Sequence, residues 1–143
     1  MTLSGGVLRT TIQWSMITEG LSQAGHPKGE HSKGLLISGK YIHPNGISLY
    51  KNYFAHNNDR SPLISSPTGV QMLVDGRNNI SYNWKGGLSP LGEGSSQINW
   101  VQNYAKQGVN SNSYSFEFAG LPDNSNNSKK YYVIGNIGST RLD

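Results

Sequence analysis

Apolar and polar residues alternate along this chain in short bursts, with no sustained helical spacing. The bursts are Thr10–Ile17, Gly34–Gly39, Ile47–Phe54, Val70–Trp84, Ile98–Ala105, Ser113–Gly120 and Tyr131–Gly138. Each is rich in β-branched and aromatic residues and is bounded by Gly, Pro, Asn and Ser, the pattern of a strand closed by turns. A helix could claim only the neighbourhood of Trp100–Lys106, where the aromatic residues sit better in a strand. The pattern therefore predicts an all-β chain.

A second regularity runs through the bursts. LYKNYF, WVQNYA and YVIGNI each place an Asn between apolar residues, at Asn52, Asn103 and Asn136, and DGRNNISY offers Asn79 in the same role. Successive members of this series are separated by about the length of one solenoid unit, roughly 20–45 residues. A repeat of that length with one strand signal per unit suits a solenoid, in which each coil buries its face against its neighbours and an inward Asn can bond the next. A β-sandwich with Asn-containing turns fits the same spacing.

Composition supports strands and turns. Gly, Ser and Asn make up 52 of the 143 residues, while 34% of the chain is apolar and 14% charged, against roughly 45–50% and about 25% in an average soluble domain. The length fits one domain, residues 1–143, or part of a larger one. There is no cysteine, hence no disulfide frame, thiolate metal site or thiol nucleophile. No run is long enough to span a bilayer as a helix, so no membrane partner is expected, and Met1–Leu8 lacks the pattern of a signal peptide. The net charge of +4 is spread singly except at Lys129–Lys130. Without a recognition motif this gives little support to nucleic acid, and it suits an acidic polysaccharide as well.

Several segments in order resemble the pectate lyase family of polysaccharide lyases: TTIQWSMITEGL, HSKGLLISG, ISLYKNYFAHNNDRSPLI, DGRNNISYNWKG, INWVQNYAKQG and the final YYVIGNIG. The resemblance implies a right-handed, single-stranded parallel β-helix and calcium-dependent β-elimination of polygalacturonate, a plant-type acidic polymer, by a secreted, extracellular protein. In that reaction a base removes the C5 proton of a uronate, charge gathers on its carboxylate and the C4 oxygen leaves. The family's catalytic arginine opens an Arg-x-Pro motif, here Arg60-Ser61-Pro62. Because a guanidinium gives up its proton with difficulty, Arg60 can also act by neutralising the carboxylate. The family's lysine one coil earlier corresponds to Lys33, with Lys28 second. Around this pair the resemblance places Lys28, His31, His56 and Asp59 in contact with substrate. His26, Glu30 and His31 match no zinc spacing, and polar loop contacts are the expectation there.

Two departures qualify the implied activity. The family's second arginine falls on Ser65, and Met1–Arg9 holds no Asp or Glu where calcium carboxylates are expected nearby. The chain thus resembles the C-terminal portion of a lyase without its first coils and cap. The expectation is that Arg60 and Lys33 carry elimination when upstream coils are present, that this chain alone acts weakly or not at all, and that an uncapped end favours self-association. The alternative expectation is a β-helix that binds uronate polymers without cutting them.

Overall fold

A computed structural model describes residues 1–5, 9–39, 46–67, 69–112 and 127–138, with the side chains of Ser89, Leu91 and Glu93 excepted. The expected burst Ser113–Gly120 lies outside them. Thirteen strands occur among the described residues. They are β1 (Thr2–Gly5), β2 (Thr10–Gln13), β3 (Met16–Thr18), β4 (Leu36–Gly39), β5 (Ile47–Tyr50), β6 (Tyr53–Ala55), β7 (Leu63–Ser65), β8 (Gln71–Arg77), β9 (Ile80–Tyr82), β10 (Ser89–Glu93), β11 (Ser95–Val101), β12 (Tyr104–Lys106) and β13 (Lys129–Ile134).

They form three sheets, ordered β1-β4-β7-β10, β13-β11-β8-β5-β2 and β12-β9-β6-β3. Every pairing is parallel, and each strand pairs with its counterpart one coil away. This is a parallel β-helix with three strands to the coil. Along the second sheet Thr10 pairs with Ile47, Ile47 with Val74, Val74 with Ile98 and Ile98 with Tyr131, so the register passes unbroken from coil to coil.

Alternation along each strand sends every second side chain inward. Leu35, Ile37, Leu49, Phe54, Ile64 and Val74 have essentially no exposed surface, and with Ile12, Ile47, Ile98 and Trp100 they form one axial stack. Full burial of each such side chain stabilises the fold by about 1.5–3 kcal/mol. In one inward row Leu49 pairs with Gly76, and Gly76 with Trp100. The glycine makes room for the indole, because a Cβ on Gly76 would collide with the Trp100 ring. Gly76→Ala is therefore expected to cost about 1–3 kcal/mol by overpacking. An unchanged denaturation midpoint would show that Trp100 has room to move.

The Asn repeat is a ladder. Asn52 donates from Nδ2 to Asn79 Oδ1 at 3.0 Å, Asn79 to Asn103 Oδ1 at 2.9 Å, and Asn103 to Asn136 Oδ1 at 3.0 Å. These rungs stand 27, 24 and 33 apart in sequence, which sets the length of each coil. The same oxygens accept the backbone N–H of Asn52, Asn79 and Asn103. The residue before each rung, Trp14, Lys51, Asn78, Gln102 or Gly135, has φ between +52° and +63°. Only Gly and Asn take that region readily. The ladder holds Trp14, Lys51 and Gln102 in it, with Ser15 donating its N–H to Asn52 Oδ1 at the first rung.

Candidate functional site

The candidate site occupies the turns that lead from the third sheet to the first. Residues 19–35 join β3 to β4 and residues 56–62 join β6 to β7. A parallel bridge between Lys33 and Asp59 ties these turns together. Below it Gly34 N–H donates to Asp59 O at 3.0 Å and Leu35 N–H to Arg60 O at 2.5 Å. Approach this close is open only to glycine at position 34, since a Cβ there would lie 2.6 Å from the Arg60 carbonyl oxygen. Arg60 itself has φ +59°, and Ser61–Pro62 is a cis peptide. Beneath the turn Ser32, Asn57 and Ser61 are buried, so the platform under Arg60 is polar.

On that platform Lys33 Nζ donates to Asp59 Oδ2 at 2.5 Å, and Arg60 Nε stands 3.9 Å from Asp59 Oδ1. All three side chains are about a quarter to a third exposed. The Arg60 guanidinium donates no hydrogen bond among the described residues, and Asp59 Oδ1, although buried, accepts none. His31 faces the same cluster and stacks on His26, with ring centres 3.9 Å apart and planes 4° from parallel. Partial withdrawal from water holds the His31 imidazole below its ordinary value, reinforced by His26, Lys33 and Arg60 and opposed by Asp59. It is therefore neutral at pH 7.

The sign of this shift makes a prediction. As pH falls below the ordinary imidazole value, the unfolded chain takes up the proton before folded His31 does, so the folded state loses stability. His31→Gln is expected to flatten that part of the stability profile, which lies below about pH 6.5. Equal slopes in thermal unfolding of parent and variant would contradict it.

The remaining expected residues lie apart from the cluster. His56 takes the left-handed corner after β6, as Glu19 does after β3 and Asn83 after β9. Its Nδ1 meets Asn83 Nδ2 at 2.7 Å, and its ring stands edge-on to Tyr82. With Asn57, Asn58, Asn83, Lys85 and Asn110 it lines a neighbouring cleft of about 260 Å³. Lys28 is exposed on the long first turn, where its backbone N–H donates to His26 Nδ1. His43 lies outside the described residues. Asn57, Asn83, Lys85 and Asn110 belong to no site motif in the sequence, although the Asn-Asn pair at 57–58 marks a polar corner.

Carboxylates that could hold calcium do not converge here. Glu30 pairs with Lys85 at 2.6 Å, and this contact lowers its pKa; Asp59 pairs with Lys33, and Asp75 with Arg77 at 2.8 Å. Among the described residues no three His, Asp or Glu gather around one point. Calcium needs six to eight oxygens. These residues do not fit the ion.

Comparison with known proteins gives this geometry a context. The chain is 31% identical over 117 residues to "Probable pectate lyase C" of Aspergillus oryzae, a match covering 80% of the chain and 24% of that protein. Proteins of the same name from Neosartorya fischeri (30% identical, 85% of the chain, 27% of the relative) and Aspergillus terreus (33%, 71% and 21%) agree. Most of the chain is related in sequence to the pectate lyases. It spans about a quarter of the length of these relatives. No family model matches the chain, and no solved structure matches it significantly. The matched region runs through most of a β-helix whose turns bring Lys33, Asp59 and Arg60 together.

Proposed function

We propose that the chain binds pectate across its successive turns and supplies the cationic part of the β-elimination that cuts it. The observation that carries this reading is the approach of Lys33 and Arg60 to one carboxylate, that of Asp59, at 2.5 Å and 3.9 Å. Cations that hold an aspartate can hold a uronate, because the carboxylate is the same group. In the elimination a solvent hydroxide takes the C5 proton, the C5–H electron pair becomes the C4–C5 double bond, and the C4–O pair leaves with the glycosidic oxygen, which takes a proton from water. Negative charge on the uronate carboxyl rises toward the transition state, so cations fixed there lower the barrier more than they favour binding. Lys33 offers a point charge and Arg60 a planar fork of donors. Since a guanidinium holds its proton strongly, neutralising the carboxylate is the role we assign to Arg60. In this reading His56 and the asparagines of the adjoining cleft meet hydroxyls of the next sugar, and His31 and Lys28 serve at the rim, where Lys28 adds charge. A polymer of plant cell walls as substrate implies an extracellular site of action.

The second reading, a β-helix that binds uronate polymer without cutting it, is favoured by the dispersed carboxylates of the described residues. Incubation with polygalacturonate, with calcium or with chelator, separates the two. Growth of the ultraviolet absorbance of unsaturated product, with calcium or with chelator, supports the lyase. Retention on a pectate column without product supports the binder, and the absence of both product and retention would refute both readings.

A further inference from the structure

Asp59 sits where the proposed ligand's carboxylate belongs. Its Oδ2 takes the Lys33 ammonium at 2.5 Å, while its Oδ1 is buried and accepts no hydrogen bond. Arg60 Nε stands 3.9 Å from Oδ1, beyond hydrogen-bond reach. Half of this carboxylate is thus well paired and half is withdrawn from water without a donor. A buried acceptor left without a partner is costly, and more so when it carries charge. The pair is close enough to occupy Lys33 and too incomplete to engage the Arg60 fork. His31 closes the same cluster as a neutral ring at pH 7.

From this we infer that Asp59 is a specificity-determining residue, an internal competitor that a uronate carboxylate must displace from Lys33 to enter the site. This rests on the proposed uronate binding and adds to it a condition on the ligand. An incoming carboxylate has to out-compete a tethered one, which is present at high effective concentration. A single uronate does so poorly. A polymer gains because its neighbouring units hold other turns while one carboxylate exchanges with Asp59. The site thereby selects uronate chains over free uronic acids and over neutral sugars.

The test is calorimetric titration of trigalacturonate, at low ionic strength and with chelator present, into the parent chain, Asp59→Asn, Asp59→Ala and the double variant Asp59→Asn with Lys33→Ala. The side chain of Asp59 is 35% exposed, so its loss is compatible with folding, and a thermal melt of each variant verifies this. Both single variants are expected to bind at least about tenfold more tightly than the parent, a gain of about 1.4 kcal/mol. The double variant is expected to lose that gain, because the gain comes from a freed Lys33. Weaker or unchanged binding by Asp59→Asn and Asp59→Ala, with the parent still binding, would mean that Asp59 positions Lys33 instead of competing for it, and would overturn this inference alone. No binding by the parent or by either single variant would overturn the proposed uronate site itself, and this inference with it.

Discussion

Lys33→Ala and Arg60→Lys are each expected to lower turnover of polygalacturonate by about 10²–10³, the usual cost of losing a group that stabilises charge mainly in the transition state. The two substitutions fail for different reasons. Alanine removes the ammonium that reaches the carboxylate position, whereas lysine at position 60 keeps the charge and loses the planar fork. Because the interaction strengthens as charge develops, kcat should fall with little change in KM. Initial rates of unsaturated-product absorbance measure both. Near-parental turnover by Arg60→Lys would show that the Arg-x-Pro motif points to the wrong residue.

Asn79→Ala should have the largest effect on stability. Asn79 Oδ1 accepts both the N–H and the Nδ2 of Asn52, and its own Nδ2 donates to Leu49 O and Asn103 Oδ1. All of these groups are buried in the middle of the ladder, so truncation strands donors and an acceptor that water cannot reach. With about 1–3 kcal/mol for each group left without a partner, partly relieved by relaxation, a loss of about 2–5 kcal/mol is expected. Denaturant unfolding would show it as a lower midpoint. A loss no larger than that of an ordinary surface substitution, about 0.5 kcal/mol, would mean that the stacked strands, and not the side-chain ladder, hold this corner.

The solenoid was legible because one residue type marks one place in each coil. Asn52, Asn79, Asn103 and Asn136 recur at the coil spacing and occupy equivalent rungs. Strands of the second and third sheets were also visible, since they flank that mark. Most of the first sheet was not. Its strands β1, β7 and β10 went unnoticed because β1 and β7 are very short and β10 is broken by Pro and Gly, so that alternation does not register. The motif and its one-coil spacing set Lys33 beside Arg60, but the ion pair of Lys33 with Asp59 was not foreseen, and the pairing of Glu30 with Lys85 spans two coils. It depends on the path of the long turn 19–35, which no local pattern encodes. His56 was noticed for its neighbours in sequence, yet Asn83 and Asn110, which share its cleft, come from later coils.

The corner between the second and third sheets is always a residue pair: 14–15, 51–52, 78–79 and 102–103. The path from the third sheet to the first ranges from the long turn 19–35 to the short turn 83–88. All these coils therefore share one fixed seam, and sequence length varies elsewhere on the perimeter. Such a seam keeps the coils in phase whatever is inserted opposite it. Duplication or deletion of a whole unit leaves it intact, and a lengthened loop changes the groove without shifting the stack. The proposed chemistry, carried on the variable side of the perimeter, can thus diversify by loop exchange while the Asn seam preserves the register of every coil.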